Sequence, residues 1–134
     1  MDDCIFCKII AGEIPAFIIH EDEESVAFMD INPATPGHVL ILPKTHIRDI
    51  EELDEEQAGK LMMVAKAIGQ KQKSALGADG FNIVQNNGKA AGQTVPHFHI
   101  HVIPRYAGGP QVAAWTPTSP TREQLSEIYI RLKD

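Results

Sequence analysis

The clearest pattern in the chain lies in residues 95–103, where apolar side chains alternate with histidines. A two-residue period is typical of a β-strand that packs one face on a core. We therefore expect His97, His99 and His101 to share one open face of a sheet. The opposite, core-facing side is expected to carry Phe98, Ile100 and Val102.

Four further segments have the length and composition of strands and are bounded by turn-forming residues. They cover residues 18–21, 25–29, 38–43 and 81–85. The first two predict a hairpin around an acidic turn. The third segment is apolar enough to lie in the middle of a sheet.

Helical patterns connect these strands. A short N-terminal helical turn is predicted over residues 6–10, and the main helix begins at the capping box of Asp54 and ends near Gly77. A second capping box at Thr121 predicts an amphipathic C-terminal helix. The main helix is also expected to bury Met62 and Met63. Together these elements indicate an α+β fold with a five-stranded antiparallel sheet, one long helix, a short N-terminal helix and a C-terminal helix.

Composition and charge narrow the possibilities. The 134 residues are 43% hydrophobic, which suits a single domain over residues 1–134, and the net charge is -6. Without a run of Lys or Arg, an extended nucleic-acid or anionic-membrane surface is not expected. Met1-Asp2-Asp3 is acidic where a signal peptide would be basic, and the longest apolar runs are strand-sized. A cytoplasmic location is the resulting expectation.

Three histidines on one strand face allow three interpretations. They can be ordinary half-buried residues, metal ligands or catalytic groups. Because His97 and His101 would lie about 13 Å apart along a strand, at most two of the three imidazoles can bind one ion. A neutral imidazole can act as a nucleophile or a proton donor near neutral pH.

The two cysteines, Cys4 and Cys7, form a C-x-x-C pair. Such a pair in a reducing compartment is a metal clip or a redox centre more often than a structural disulfide. A thioredoxin-like role is disfavoured because no strand precedes the motif. As half of a Cys2His2 site, the pair would need two histidines from elsewhere in the chain.

Two loops are candidates for binding. The stretch 86–94 contains small residues and two glycines, whose amides can converge on a phosphate, although a plain hairpin loop has similar composition. The stretch 30–37 is stiffened by two prolines, and Asp30 at its start could simply cap a turn. Trp115 is expected to be a packing anchor unless it covers a ligand.

Residues 97–103 fit the alternating signature of the histidine triad (HIT) family. Segments 28–33, 37–44 and 92–95 resemble other segments of that family in the same order. The resemblance covers about residues 4–106, so the C-terminal loop and helix of residues 107–134 lie outside it. It is strongest with the Hint-like branch of nucleotide-binding hydrolases and transferases, and it implies a HIT-like fold and a homodimer.

The resemblance also implies a reaction. Its nucleophile would be His99, which attacks the α-phosphate of a purine nucleoside phosphoramidate, dinucleoside polyphosphate or aminoacyl-adenylate to give a nucleotidyl-histidine. The phosphate oxygens would contact His101, and Thr94 would lie beside the leaving group. Further polar phosphate contacts are implied for Asn86, Gly92 and Gln93.

The nucleoside site follows from the same comparison. Asp30 resembles the ligand of the ribose hydroxyls, and His38 resembles a supporting histidine behind the triad. An apolar slot for the base is implied for Phe6, Ile9, Phe28 and Ile31, each of which could equally be core.

A metal site resembles that of a bacterial-type zinc subgroup. The implied ligands of a structural Zn²⁺ are Cys4, Cys7, His46 and His97. A redox pair of cysteines is the alternative to this site. For the whole protein, the alternative to an enzyme is a zinc-stabilised nucleotide-binding or scaffold protein with little catalysis.

Overall fold

The computed structural model describes residues 3–112 and 115–134. Its strands are β1 Ile18–Glu21, β2 Ser25–Met29, β3 Val39–Pro43, β4 Gly80–Gln85 and β5 Ile100–Arg105. They form one sheet in the order β1-β2-β3-β5-β4, and all neighbours are antiparallel. Two residues of the predicted acidic start, Met1 and Asp2, and residues 113–114 of the predicted C-terminal loop lie outside the described residues.

Three helices accompany the sheet: α1 Ile5–Ile10, α2 Glu55–Leu76 and α3 Arg122–Leu132. The carboxylate of Asp54 accepts a 2.8 Å hydrogen bond from the backbone N–H of Gln57 and so caps α2. Gly77 ends this helix at φ 70°, a conformation that glycine adopts without strain. The predicted α+β architecture is confirmed. Within the described residues, none of the helices combines the length and hydrophobicity needed to cross a bilayer.

The main core lies between α2 and one face of the sheet. α2 contributes a buried stripe at helical spacing, and the sheet contributes the inward-facing residues of its central strands. This cluster comprises Ala27, Val39, Ile41, Leu61, Ala65, Ile68, Phe98, Ile100 and Val102. The predicted core face of the histidine segment is therefore confirmed, and β5 sits between β3 and β4 rather than at an edge.

The opposite face of the histidine segment is not open, which corrects the prediction. A second core cluster there joins α1 to β2 and β3 and includes Cys4, Phe6 and Phe28. Under this cover, His97 is 0% exposed and His99 is 6% exposed. Regular strand structure also begins only at Ile100, because the chain bends sharply over residues 95–97 before it enters β5.

Two predictions about packing are wrong, those for Met62 and Met63 and for Trp115. Met62 and Met63 are 50% and 59% exposed because the buried stripe of α2 lies on another side of the helix. Trp115 is 84% exposed, so it anchors no packing among the described residues. The helix α3 forms as predicted, but its apolar side chains are exposed. These are Leu125, Ile128, Tyr129 and Leu132.

Candidate functional site

Four potential metal ligands meet at the N-terminal end of α1. They are Cys4, Cys7, His46 and His97, and their donor atoms all lie within 4.8 Å of one another. Cys4 is the N-cap residue of α1, so the C-x-x-C spacing brings both sulfurs to one end of the helix. His46 lies just beyond the end of β3, and His97 lies in the bend before β5.

The geometry of this cluster fits a tetrahedral Zn²⁺ ion. With metal bonds of about 2.3 Å to sulfur and about 2.0 Å to nitrogen, tetrahedral ligands lie about 3.5 Å apart. The Sγ atoms of Cys4 and Cys7 lie 3.4 and 3.6 Å from Nδ1 of His97, and Cys7 Sγ lies 3.2 Å from Nδ1 of His46. These values bracket the separation that a zinc ion requires.

A backbone hydrogen bond orients the ring of His97 for binding a metal ion. Its Nε2 donates to the carbonyl oxygen of Pro43 at 2.9 Å, so a neutral ring keeps the lone pair on Nδ1, toward the sulfurs. Burial lowers the pKa of His97, which favours the neutral ring. Burial also raises the pKa of the Cys7 thiol, so metal binding would release a proton.

The tautomer of His99 is determined in a similar way. Its Nδ1 lies 2.7 Å from the carbonyl oxygen of His97, and only an N–H can bond there. The lone pair of the neutral ring is therefore on Nε2. Burial is the main reason that the pKa of His99 is lowered, which keeps the ring neutral at neutral pH. A buried, oriented imidazole lone pair is suited to nucleophilic attack.

In His101 the two ring nitrogens have the opposite roles: Nδ1 accepts a hydrogen bond, whereas Nδ1 of His99 donates one. The backbone N–H of Ala34 donates to Nδ1 of His38 at 3.0 Å, so the proton of neutral His38 is on Nε2. That Nε2–H donates across 3.0 Å to Nδ1 of His101. The remaining proton of His101 is then on its Nε2, which can donate. Burial, together with His99 and His38, lowers the pKa of His101 to about 4, so this ring is also neutral.

Asp30, His38 and His101 also lie close enough together to resemble a second metal site. Their hydrogen bonds argue against it. A metal on Nε2 of His38 would require that nitrogen to lose its proton while Nδ1 accepts from Ala34, which a neutral imidazole cannot do. We interpret the backbone N–H of Ala34, His38 and His101 as a hydrogen-bond relay, beside which Asp30 lies 3.7 Å from Nε2 of His38.

A cleft of about 320 Å³ lies beside His99 and His101. It brings together most of the residues predicted for the nucleotide. Those lining it are Phe6, Ile9, Phe28, Asp30, Ile31, Thr94, His99 and His101. The rings of Phe6 and Phe28 meet edge to face at 5.7 Å and are buried, so they serve both the core and the cleft. Ile31, at 79% exposure, lies at the rim.

Several lining residues of this cleft were not predicted. The turn after α1 contributes Ile14, Pro15 and Ala16, and Val95 follows Thr94. Apolar residues in a turn leave no periodic pattern, so the sequence offers no signal for them. His38 lies behind His101, as predicted, and reaches the cleft through the relay.

The predicted phosphate loop faces a neighbouring cleft. Gly92, Gln93 and Thr94 line a space of about 530 Å³, of which only Thr94 also borders the first cleft. The amide of Gln93 is engaged within the chain, because its Nε2 donates to the carbonyl oxygens of Arg48 and Val95. Asn86 lies beside Gly92 but lines neither space.

A larger surface cleft of about 800 Å³ lies between the turn before β2 and the start of α2. Five carboxylates line it, with one lysine: Asp22, Glu23, Glu24, Glu55 and Glu56, with Lys60. This charge repels phosphate, so the cleft beside the histidines is the better nucleotide site.

Comparison with known proteins identifies one family. The chain matches the HIT domain model over residues 11–108. It is 51% identical over 110 residues to a HIT-like protein of Methanocaldococcus jannaschii, covering 81% of this chain and 84% of the relative. It is 44% identical over 130 residues to adenosine 5′-monophosphoramidase of Saccharomyces cerevisiae, covering 96% of this chain and 80% of the relative.

Solved structures show the same fold. A crystal structure of a Streptococcus mutans protein superposes with a TM-score of 0.91 at 40% identity, covering 98% of this chain and 84% of that one. A Zn-bound histidine triad family protein of Mycobacterium smegmatis superposes with a TM-score of 0.77 at 39% identity, covering 94% of this chain and 89% of that one. The chain belongs to the HIT family.

Proposed function

We propose that the protein is a nucleotidyl hydrolase or transferase that cleaves at the α-phosphate of purine nucleoside phosphoramidates or dinucleoside polyphosphates. One observation carries the proposal: at the end of an apolar cleft, the hydrogen bonds leave a lone pair on His99 and an N–H on His101. An attacking group and an oxyanion donor are the two parts that substitution at phosphorus needs. The similarity to a phosphoramidase supports the same reaction class.

The nucleoside would occupy the apolar end of the cleft. Its base would lie against Phe6, Ile9 and Phe28, with Ile31 at the rim. The Oδ1 atom of Asp30 accepts from the backbone N–H of Asn32 at 2.8 Å, which orients the carboxylate. A carboxylate held in this way can accept hydrogen bonds from the two ribose hydroxyls.

In the first step, Nε2 of His99 forms a bond to the α-phosphorus, and the bond to the leaving group breaks with its electron pair on that group. An oxygen leaving group departs as an anion, whereas the nitrogen of a phosphoramidate takes up a proton from solvent and departs as an amine. The imidazole becomes positively charged, while its Nδ1–H stays on the carbonyl oxygen of His97. The Nε2–H of His101 and the hydroxyl of Thr94 would donate to the phosphate oxygens as their charge grows.

In the second step, water attacks the phosphorus of the nucleotidyl-His99 intermediate, and the bond to Nε2 breaks. The products are a nucleoside monophosphate, a proton and the regenerated neutral imidazole. A hydroxyl group in place of water would make the same protein a transferase.

A structural Zn²⁺ completes the proposal. The Cys2His2 set of Cys4, Cys7, His46 and His97 would fill all four positions of a tetrahedral ion and leave none for substrate. The metal would therefore stabilise the N-terminal segment over the cleft. The Zn-bound family neighbour supports this assignment. Thiolate ligands persist in a reducing compartment such as the cytoplasm.

We also propose a homodimer. Within the part of the chain that the structure describes, β4 is an edge strand that pairs only with β5, so one side of its backbone is open to another strand. The exposed Met62 and Met63 on α2 provide apolar surface for a partner. Light scattering coupled to size exclusion should give twice the mass of one chain.

The test of the proposed function is turnover of an adenosine phosphoramidate and of a diadenosine polyphosphate. Wild type should hydrolyse at least one of them, and His99→Ala should lose at least about a thousandfold in kcat/KM. His20→Ala is the matched control, because His20 is on β1 and lines neither cleft. A rapid acid quench should trap one nucleotide on the protein, on a peptide containing His99.

Equal turnover by wild type and His99→Ala would exclude the covalent mechanism. Nucleotide binding without turnover of either substrate would instead favour the binding or scaffold role.

A further inference from the structure

The helix α2 buries one polar side chain beside its apolar stripe. Gln72 is 3% exposed and lies one helical turn beyond Ile68, which belongs to the main core. Its neighbours Lys71 and Lys73 are exposed. Because a buried amide without hydrogen bonds costs stability, buried polar groups in proteins are nearly always paired. The partners of Gln72 therefore indicate what this side chain does.

The amide nitrogen of Gln72 joins two separate parts of the backbone. Nε2 donates to the carbonyl oxygen of Gly37 at 2.9 Å and to that of Val102 at 3.0 Å, which uses both of its hydrogens. An oxygen in this place would face two acceptors, so these contacts also determine which way the amide is turned. The other amide atom, Oε1, is buried and has no hydrogen-bond partner among the described residues.

The two carbonyl groups belong to residues that adjoin the relay histidines. Gly37 directly precedes His38, and Val102 directly follows His101. The regular pairs between β3 and β5 begin only after His38. Gln72 therefore continues the connection between the two segments past the end of their pairing, at the point where the relay spans them.

The loop that carries His38 also packs closely on α2 at this point. A Cβ on Gly37 would overlap the side chain of Leu76, which lies one helical turn after Gln72. The φ angle of Gly37 is 96°, a conformation that glycine adopts without strain. The close packing limits movement of the loop toward the helix, and the hydrogen bond from Gln72 limits movement away from it.

The position of His38 relative to β5 determines whether the relay forms. Nε2 of His38 lies 3.0 Å from Nδ1 of His101. A shift of about half an ångström would take this distance beyond the usual hydrogen-bond range of about 2.7 to 3.2 Å. Without that donor, the neutral ring of His101 can carry its proton on either nitrogen.

We infer that Gln72 is a positioning residue, which holds Gly37 and Val102 together and thereby keeps His38 within hydrogen-bond distance of His101. This inference rests on the proposed function, in which the N–H on the other nitrogen of His101 donates to the phosphate. Gln72 itself lines neither of the two clefts beside the histidines, so it acts through the relay and not on the substrate.

The first experiment replaces the amide by a side chain of similar length without donors, Gln72→Met. Nitrogen-15 NMR should show a mixture of His101 tautomers in place of the single Nε2–H form. For the better of the two adenosine substrates, kcat should fall about threefold to fivefold, while KM should change less than about twofold. Gln70→Met is the matched control, because Gln70 is exposed on the same helix, and it should change neither the tautomer nor kcat.

A double-mutant cycle with His38→Ala separates positioning from a general loss of structure. Where the donor to His101 is already absent, Gln72→Met should change kcat less than about twofold further. Urea unfolding of the same proteins measures stability, which Gln72→Met should lower in both backgrounds because two carbonyl groups lose a donor. If Gln72→Met does not fold, Gln72→Asn replaces it, since an amide one methylene shorter cannot reach both carbonyl oxygens.

A single unchanged tautomer of His101 in the folded Gln72 variant overturns the inference. A loss in kcat of the same size with and without His38 also overturns it, because Gln72 would then act independently of the relay. Both results leave the proposed function intact. Wild type that turns over neither the phosphoramidate nor the diadenosine polyphosphate overturns the proposed function itself.

Discussion

The Nδ1 atom of His99 lies 2.7 Å from the backbone carbonyl oxygen of His97. The side chain of His97 belongs to the Cys2His2 cluster, so the proposed nucleophile and the proposed metal site are joined through one residue. Any shift of His97 moves the acceptor that selects the tautomer of His99. The structure thereby links the proposed metal site to the orientation of the proposed nucleophile.

The first prediction follows from this coupling. Cys4→Ser should reduce bound zinc from one equivalent per chain to well below one, and should lower the free energy of unfolding by about 3 kcal/mol or more. It should also reduce kcat about tenfold, because His97 loses a ligand partner and His99 becomes less well oriented. Elemental analysis, urea unfolding and steady-state kinetics measure the three effects.

A strong chelator is the control for Cys4→Ser. It should reproduce the loss in wild type and have little further effect on the variant. Wild type that is purified without metal and melts at the same temperature after zinc is added would contradict the structural role.

The second prediction concerns the relay behind His101. His38→Ala removes the donor to Nδ1 of His101, so the ring is free to place its proton on either nitrogen. We expect kcat/KM to fall about tenfold, with a smaller change in nucleotide affinity. Nitrogen-15 NMR of the histidines should show a single Nε2–H tautomer of His101 in wild type and a mixture in the variant. A single unchanged tautomer in the variant would mean that the relay does not control it.

The third prediction tests how the loop before β3 holds His38. The hydroxyl of Thr35 donates to the carbonyl oxygen of Pro104 at 2.6 Å in a buried position, and the backbone N–H of His38 donates to the carbonyl oxygen of Thr35 at 3.2 Å. Thr35→Val keeps the shape but leaves the Pro104 carbonyl unsatisfied. It should cost about 1 to 3 kcal/mol in urea unfolding. The exposed Thr45→Val, which changes the same atoms on the surface, should cost less than about 0.5 kcal/mol.

The fourth prediction is a dependence of stability on acid. The pKa of His101 is lowered from 6.5 to about 4, so the unfolded chain binds a proton in this interval that the folded chain does not. Stability should therefore fall as the pH drops from 6.5 toward 4, by about 3 kcal/mol for this residue. The difference between wild type and His101→Gln isolates the contribution of this residue from that of other titrating groups. If the free energy of unfolding depends on pH in the same way in both proteins, this prediction is contradicted.

The fifth prediction compares two glycines of α2. A Cβ on Gly69 would overlap ring atoms of Phe81, whereas a Cβ on Gly59 meets no atom within 4 Å. Gly59→Ala should raise the free energy of unfolding by up to about 1 kcal/mol through helix propensity. Gly69→Ala should lower it by about 1 to 3 kcal/mol because the helix must move away from β4. Equal effects at both positions would show that α2 does not pack closely against β4 at this point.

The sequence by itself determined the elements and their order. Period-two and period-3.6 patterns, together with the caps at Asp54, Gly77 and Thr121, are local, so they predicted the five strands and three α-helices in the right order. The start of the histidine strand was the exception in position, since β5 begins at Ile100 rather than at residue 95. The histidine spacing and the C-x-x-C pair likewise indicated candidate catalytic and metal-binding residues, because the residues of each motif are close together in the sequence.

Only the tertiary structure decided how those residues differ. The exposure of Met62 and Met63 was not predictable, because burial depends on which face of α2 meets the sheet rather than on residue type. The tautomers of His99 and His101 depend on a carbonyl two residues earlier and on an amide 67 positions away in the chain, at Ala34. Hydrogen bonds and clefts bring together residues that are far apart in the chain, and a sequence pattern does not show which distant residues are close in space.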